Sequence, residues 1–337
     1  MLLIHPAACI SAVILIILSI IQLTFGSLGD GTRVFQKCLQ NCYLASCRVS
    51  DAAWAEQLPW YMRLLNWTCP DECSYFCMWR AVEAFQKDGS PVPQFYGKWP
   101  FIRLFGLQEP ASVIFSILNA LAHLNLFKFR REVSSASPMF YAWHLYALVS
   151  VWTWLCSAMF HARDWPITEK LDYFSAALLV LTQFYLLLLR VIGTEKKLKV
   201  IVTALPLLLF YTYHVHYLTY RRFDYGYNMK VNITIVAANA IGWVLWCISH
   251  RKQQPYVWKC LVPVVTTGVL AALELGDFPP IWWTFDAHSL WHAGTPPLIV
   301  LFYRFAIDDC KYLEGQKQRE AAVDAKKETP LTEKKEQ

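Results

Sequence analysis

Seven long, almost uncharged stretches dominate the carboxyl-terminal two thirds of the chain, at residues 111–127, 139–160, 171–191, 200–219, 230–249, 256–275 and 288–306. Each is close to the length a helix needs to cross about 30 Å of hydrocarbon. Lipid offers no partner for an unpaired backbone N–H or C=O, so such stretches are expected as helices, not isolated strands. The loops between them are short, which makes consecutive spans neighbours in one bundle. The expected fold is therefore an all-α membrane protein with a seven-transmembrane-helix bundle. With 56% hydrophobic and 17% charged residues, the composition excludes a single soluble globule. The net charge of +6 sits in the loops and the tail and calls for no nucleic-acid partner.

Ahead of the spans the composition changes twice. Residues 1–27 have an apolar centre from Ile10 to Leu23 and small residues at Gly26 and Ser27, the pattern of a cleaved signal peptide. The n-region lacks Lys and Arg, which leaves an uncleaved anchor as the alternative. Residues 28–110 are polar and contain Cys38, Cys42, Cys47, Cys69, Cys73 and Cys77. In an exported segment these are candidates for three disulfides, although Cys69, Cys73 and Cys77 also have zinc-ligand spacing. Six cysteines allow fifteen pairings, and the sequence does not choose among them. Asn66-Trp67-Thr68 is a glycosylation sequon; a second, at Asn232, sits at the mouth of a span.

Orientation follows from the loops. Those after the first, third and fifth spans hold ten Lys and Arg (Lys128, Arg130, Arg131, Arg190, Lys196, Lys197, Lys199, Arg251, Lys252, Lys259), and the alternate loops hold five. Positive charge stays in the cytosol, so the cysteine domain is expected in the lumen and the carboxyl terminus in the cytosol. Residues 308–337 are expected as a disordered cytosolic tail. Its ending, EKKEQ, has lysines third and fourth from the end and reads either as a retrieval signal for the endoplasmic reticulum or as a solvated charge run.

Ionisable side chains inside spans are costly and mark functional sites. Ser157 and His161 end the second span, Asp172 begins the third, and His288 and His292 begin the seventh, all at the same expected luminal depth. Residues i and i+4 share a helix face, so His288 and His292 can present two imidazoles to one point, with His161 as a third ligand. Three neutral histidines and an open position form a catalytic zinc set. Asp172 is then the candidate general base, and Ser157 the candidate donor to water or an oxyanion. Asp286 is a candidate to orient an imidazole, while Glu274 and Asp277 are better read as solvated loop residues. His123, His144, His214, His216 and His250 have no ligand spacing.

The pattern Ser157-x3-His161, Asp172 and His288-x3-His292 resembles the CREST superfamily of seven-span membrane hydrolases, which includes ceramidases and lipid-sensing receptors. WTCPDECSYFCMW (Trp67 to Trp79), VPQFYGKWPF (Val92 to Phe101), QEPAS (Gln108 to Ser112) and DFPPIWWTFDAHSLWH (Asp277 to His292) are similar to one branch of it, the Per1-like GPI phospholipases. That resemblance implies zinc-dependent hydrolysis of the sn-2 acyl ester of a GPI anchor. Its partners would be GPI-anchored proteins and membrane lipids, in the endoplasmic reticulum or Golgi membrane. A ceramidase-like amidase and a non-catalytic receptor or assembly factor are the alternatives.

Overall fold

The computed structural model describes residues 28–48 and 50–328; the expected signal peptide and the EKKEQ ending lie outside the described residues, as does the Glu274 side chain. Among the described residues there is no strand, only three isolated bridges at tight turns. The helices are α1 (Arg33–Ser46), α2 (Asp51–Gln57), α3 (Trp60–Leu64), α4 (Cys69–Lys87), α5 (Pro110–Ala122), α6 (Asn125–Glu132), α7 (Phe140–Ala162) and α8 (Pro166–Ile192). These are followed by α9 (Lys197–His216), α10 (Tyr225–His250), α11 (Trp258–Gly276) and α12 (Ala287–Glu328).

The amino-terminal unit is stapled by three nested disulfides, Cys38–Cys77, Cys42–Cys73 and Cys47–Cys69. Their order follows from antiparallel helices: Cys38 and Cys42 on α1 and Cys47 just past its end climb as α4 descends, and steps of four or five keep them on facing stripes. Phe35, Val82 and Phe95 close the small core around the sulfurs. A capping box starts α4, where Thr68 Oγ1 accepts from the Asp71 N–H and the Asp71 carboxylate accepts from the Thr68 N–H at 2.9 Å. Asn66 is exposed and holds a left-handed backbone (φ 48°), a conformation asparagine tolerates.

Among the described residues, five helical segments are long and apolar enough to cross a membrane: Pro110–Glu132, Phe140–Ala162, Pro166–Ile192, Lys197–Arg221 and Tyr225–His250. The expected sixth span falls on a shorter apolar stretch, Pro255–Ala271. The expected seventh is the first half of α12, where His288, His292, Pro296 and Pro297 interrupt the apolar run. By length and composition the described residues therefore show five of the seven expected spans; the helix of the sixth, Trp258–Gly276, is apolar beyond that stretch, and polar and helix-breaking residues dilute the seventh.

Neighbouring helices pack as α5 on α7, α7 on α8, α8 on α10, α10 on α11, α11 on α12 and α12 back on α5, with α9 against the outside of α8. Gly242 lets α10 approach Leu187 on α8, and Gly294 lets α12 approach Leu270 on α11; a Cβ at either glycine would meet those leucines inside 3 Å. The main core, including Trp143, Leu186, Trp243, Trp246 and Phe305, fills the end of the bundle away from the disulfide unit. A buried ion pair joins it there: Arg190 donates to both oxygens of Asp309, at 2.7 and 3.0 Å, and Tyr256 donates to the same carboxylate. The segment expected as tail differs accordingly, since residues 308–328 continue α12 as helix. Asp309 and Cys310 are buried by this packing, and the remainder is rich in Glu, Gln, Lys and Ala, which propagate helix.

Candidate functional site

His161 lies in the last turn of α7, Asp172 in the second turn of α8, and His288 and His292 in the first two turns of α12. The loop between α7 and α8 is short because Pro166 opens α8 at its first turn and the Thr168 hydroxyl accepts from the Trp165 N–H at 2.9 Å. Asp286 caps α12: its Oδ1 accepts from the Ser289 N–H at 2.9 Å while Ser289 Oγ accepts from the Asp286 N–H at 3.0 Å. The carboxylate considered as an imidazole partner thus spends that oxygen on starting the helix that carries both histidines.

The ligand atoms of His161, His288 and His292 lie within 4.8 Å of one another. His288 Nε2 and His161 Nε2 are 3.2 Å apart. Two ligands on a tetrahedral zinc, each about 2.0–2.1 Å from the ion, stand about 3.3 Å apart, so this spacing fits a shared cation. The outer ring nitrogens are already engaged. His161 Nδ1 donates to Glu109 Oε2 at 2.6 Å, which fixes the tautomer and leaves Nε2 free as a lone pair. His292 Nδ1 is 3.0 Å from Ser116 Oγ, and Ser116 Oγ is 3.2 Å from Ser157 Oγ. A hydroxyl chain therefore links the expected serine to the expected ligand.

Asp172 stands within electrostatic reach of His161, His288, Lys98 and Glu109. The five expected residues converge from three helices. The structure adds four that sequence reasoning missed: Lys98, Glu109, Ser116 and Asn119. Glu109 precedes α5 and is almost fully buried; its N–H also donates to the His161 carbonyl at 3.0 Å. Lys98 Nζ binds Glu109 Oε1 at 2.6 Å and Asp164 at 3.1 Å. Burial by itself would raise the Glu109 carboxyl, but the adjacent Lys98 and His161 outweigh it and hold the group well below the usual carboxylate range. Lys98 is disfavoured by burial and more than compensated by Glu109 and Asp164, so its ammonium is raised.

Asn119 answers a backbone problem. Pro296 has no N–H, so the His292 carbonyl loses its helical partner four residues on. Asn119 Nδ2 donates to that carbonyl at 2.9 Å, and Thr295 Oγ1 donates to Asn119 Oδ1 at 2.7 Å. The α12 proline pair and the α5 asparagine together hold His292 in place. A signal was visible for Glu109, an acidic residue directly before a proline that opens a span; none marked Ser116 or Asn119 as partners of α12.

Among the other candidates, Asp277 is not simply solvated. It accepts from Gln94 Nε2 at 2.9 Å and Trp99 Nε1 at 2.6 Å, tying the loop before α12 to the segment that carries Lys98. His123 is buried against Tyr303 and His214 against Asn228, both away from the histidine cluster.

Fold and site together define a helical membrane protein with a three-histidine centre capable of holding a metal ion. Residues 59–310 match the Per1-like family, and the chain belongs to that family. It is 43% identical over 301 residues to Post-GPI attachment to proteins factor 3 of Drosophila melanogaster, covering 87% of this chain and 92% of that one. It is 44% identical over 291 residues to the GPI-specific phospholipase A2-like PGAP3 of Xenopus laevis, covering 85% and 91%. The human protein of that name is 42% identical over 306 residues, covering 90% and 95%. No solved structure matches the chain.

Proposed function

We propose that this protein is a zinc-dependent membrane acyl hydrolase that removes the sn-2 fatty acid from the inositol phospholipid of GPI-anchored proteins. One observation carries the reading: three imidazoles, Ser157 and Asp172 converge at one end of the bundle, in a chain whose relatives are named for GPI attachment and for a GPI-specific phospholipase A2-like protein. His161, His288 and His292 would hold the metal; when bound, it would supply Lewis-acid polarisation and a water that ionises near neutral pH.

The chain's own residues account for the rest of the chemistry. Asp172 takes a proton from the attacking water as its oxygen bonds to the ester carbonyl carbon. The Ser157 hydroxyl, backed by Ser116, donates to the carbonyl oxygen as negative charge develops there. The ester C–O bond then breaks, and Asp172 returns its proton to the departing sn-2 oxygen. A free fatty acid and a lyso-GPI protein result, without an acyl-serine.

The placement is a further part of the proposal. Residues 28–110 form a luminal domain, residues 111–307 the hydrolase domain, and the histidine end of the bundle faces the lumen of the endoplasmic reticulum or Golgi. An sn-2 carbonyl of a luminal-leaflet lipid lies just beneath the headgroups, the depth at which α7 and α12 present their histidines. Asn66, exposed in the luminal domain, is the proposed glycan acceptor.

Mass spectrometry of the anchor lipid of a GPI-anchored protein, incubated with the purified enzyme, tests the reaction. Loss of the sn-2 chain with intact protein, and its retention with His292→Ala or after chelation, is expected. An unchanged lipid with folded, zinc-loaded protein would refute the activity, and cleavage of ceramide alone would point to an amidase.

A further inference from the structure

The segment from Phe101 to Gly106, just before the first span, is built inside out. Arg103 points inward, its guanidinium 3.4 Å from the centre of the Trp67 ring and bonded to Glu72. Its neighbours Ile102 and Leu104 point the other way, 48% and 50% exposed. Alternate residues of an extended segment face opposite sides, so a charged residue inside and apolar residues outside invert the pattern expected beside water.

The turn that follows carries the inversion further. Phe105 and Gly106 both have positive φ, 50° and 77°, and the Leu104–Leu107 bridge closes around them. Gly106 suits that backbone; a phenylalanine does not, yet its ring is held 68% exposed at the tip. The Ile281–Phe285 bridge closes a second such turn, with Trp282 at φ 52° and 78% exposed. The two turns are joined, since the Ile102 N–H donates to the Trp283 carbonyl at 2.9 Å. Beside Phe105 lies α3, whose Trp60 and Leu64, one helical turn apart, are 69% and 75% exposed. Large exposed side chains in strained turns mark a surface with a partner.

Chain position identifies that partner as lipid. The Gln108 and Glu109 N–H groups donate to the carbonyls of Ala162 and His161, so the segment is pinned level with the end of α7. Phe105 is four residues from Glu109, at most about 14 Å along an extended chain and less through the closed turn. The interfacial layer beyond the hydrocarbon is about 5–8 Å deep on each side, where aromatic rings collect.

We infer that Trp60, Leu64, Ile102, Leu104, Phe105 and Trp282 form an aromatic foot by which the disulfide unit rests in the leaflet on its own side of the membrane. The foot fixes the tilt of the unit over the bundle. Lys98 and Glu109 lie on the same stretch of chain, so the leaflet also steadies the partner of His161. This inference needs only a membrane-spanning bundle and stands whether or not the proposed reaction is correct.

The test uses the full chain in phosphatidylcholine nanodiscs, with a nitroxide placed in turn at Leu64→Cys, Leu104→Cys, Trp282→Cys and, as a control at the far end of the disulfide unit, Lys87→Cys. Lys87 is exposed in the last turn of α4, whose first turn holds Asp71 against Arg163 at the end of α7. Labelling is read against the unsubstituted chain, whose four free cysteines among the described residues are buried. The foot positions should collide several-fold more often with oxygen than with a water-soluble nickel chelate, relative to the label at position 87. Foot positions that match the label at position 87 would overturn the inference; so would labels immobile and shielded from both reagents, which would indicate a protein partner. Each variant must elute as a folded monodisperse sample, and three independent positions keep the test open if one fails.

Discussion

Replacing Glu109 by Gln isolates the carboxylate that holds His161. Glutamine keeps the length and can still accept the His161 Nδ1–H, but the bond loses its charge assistance, and such bonds are roughly twice as strong as neutral ones. Loss of a carboxylate behind a ligating histidine typically costs about 10–100-fold in metal affinity. With the acceptor retained, Glu109→Gln belongs near the lower end, about tenfold or about 1.4 kcal/mol. Glu109→Ala, which removes the acceptor altogether, belongs nearer about 100-fold or about 2.7 kcal/mol. Lys98→Met separates orientation from stability. It leaves the Glu109–His161 hydrogen bond in place while removing the 2.6 Å ion pair, so it should lower the melting temperature with a smaller loss of metal affinity than Glu109→Ala. The assay is competitive zinc titration against a chromophoric chelator, with thermal unfolding of the metal-free protein in parallel. Equal zinc affinity in wild type, Glu109→Gln and Glu109→Ala would refute the argument, as would a Lys98→Met loss as large as that of Glu109→Ala.

Asp172→Asn should keep zinc and lose turnover, whereas Ser157→Ala should only weaken turnover; zinc analysis with single-turnover hydrolysis distinguishes the two, and a trapped acyl-serine would overturn the assignment. The Lys98–Glu109 pair sets a pH window. Glu109 is depressed, so its contribution is full above about pH 4.3 and is lost as pH falls through its lower folded value; Lys98 is raised, so its contribution is full below about pH 10.4 and is lost as pH rises through its higher folded value. Unfolding of wild type and Lys98→Met should therefore differ by a constant amount between about pH 5 and pH 10, and a difference that varied inside that window would contradict the pairing. Removing the middle disulfide with Cys42→Ser and Cys73→Ser together should cost about 2–4 kcal/mol, read from denaturant unfolding of the amino-terminal unit. A loss below about 0.5 kcal/mol would mean that the two outer bridges already hold α1 and α4 in register.

What was legible in the sequence is what depends on local periodicity and on the solvent. Apolar runs of spanning length can only be helices in lipid, so α5, α7, α8, α9 and α10 could be placed with ends shifted by a few residues. The i and i+4 spacing put His288 and His292 on one face, and polar residues at span ends singled out Ser157, His161 and Asp172. The seventh span is less regular than its length implied, and for a physical reason: His288 and His292, which make the site, and Pro296 and Pro297 are the residues that spoil the apolar run. The tail was misread because charge in residues 308–328 looked like solvated chain, whereas Asp309 is buried against Arg190, 119 residues earlier.

Only tertiary structure decided the pairings between distant segments. Fifteen disulfide arrangements reduce to one once α1 and α4 lie antiparallel, because that packing alone brings Cys42 opposite Cys73. Glu109 becomes the partner of His161, 52 residues away, only when α5 docks against α7. Asn119 replaces the hydrogen bond that Pro296 withholds only when α12 closes against α5. A sequence records which groups need partners, since every buried carbonyl, imidazole or carboxylate must find one. Which partner each finds depends on helix faces that meet across tens or hundreds of residues, and no local pattern encodes that meeting.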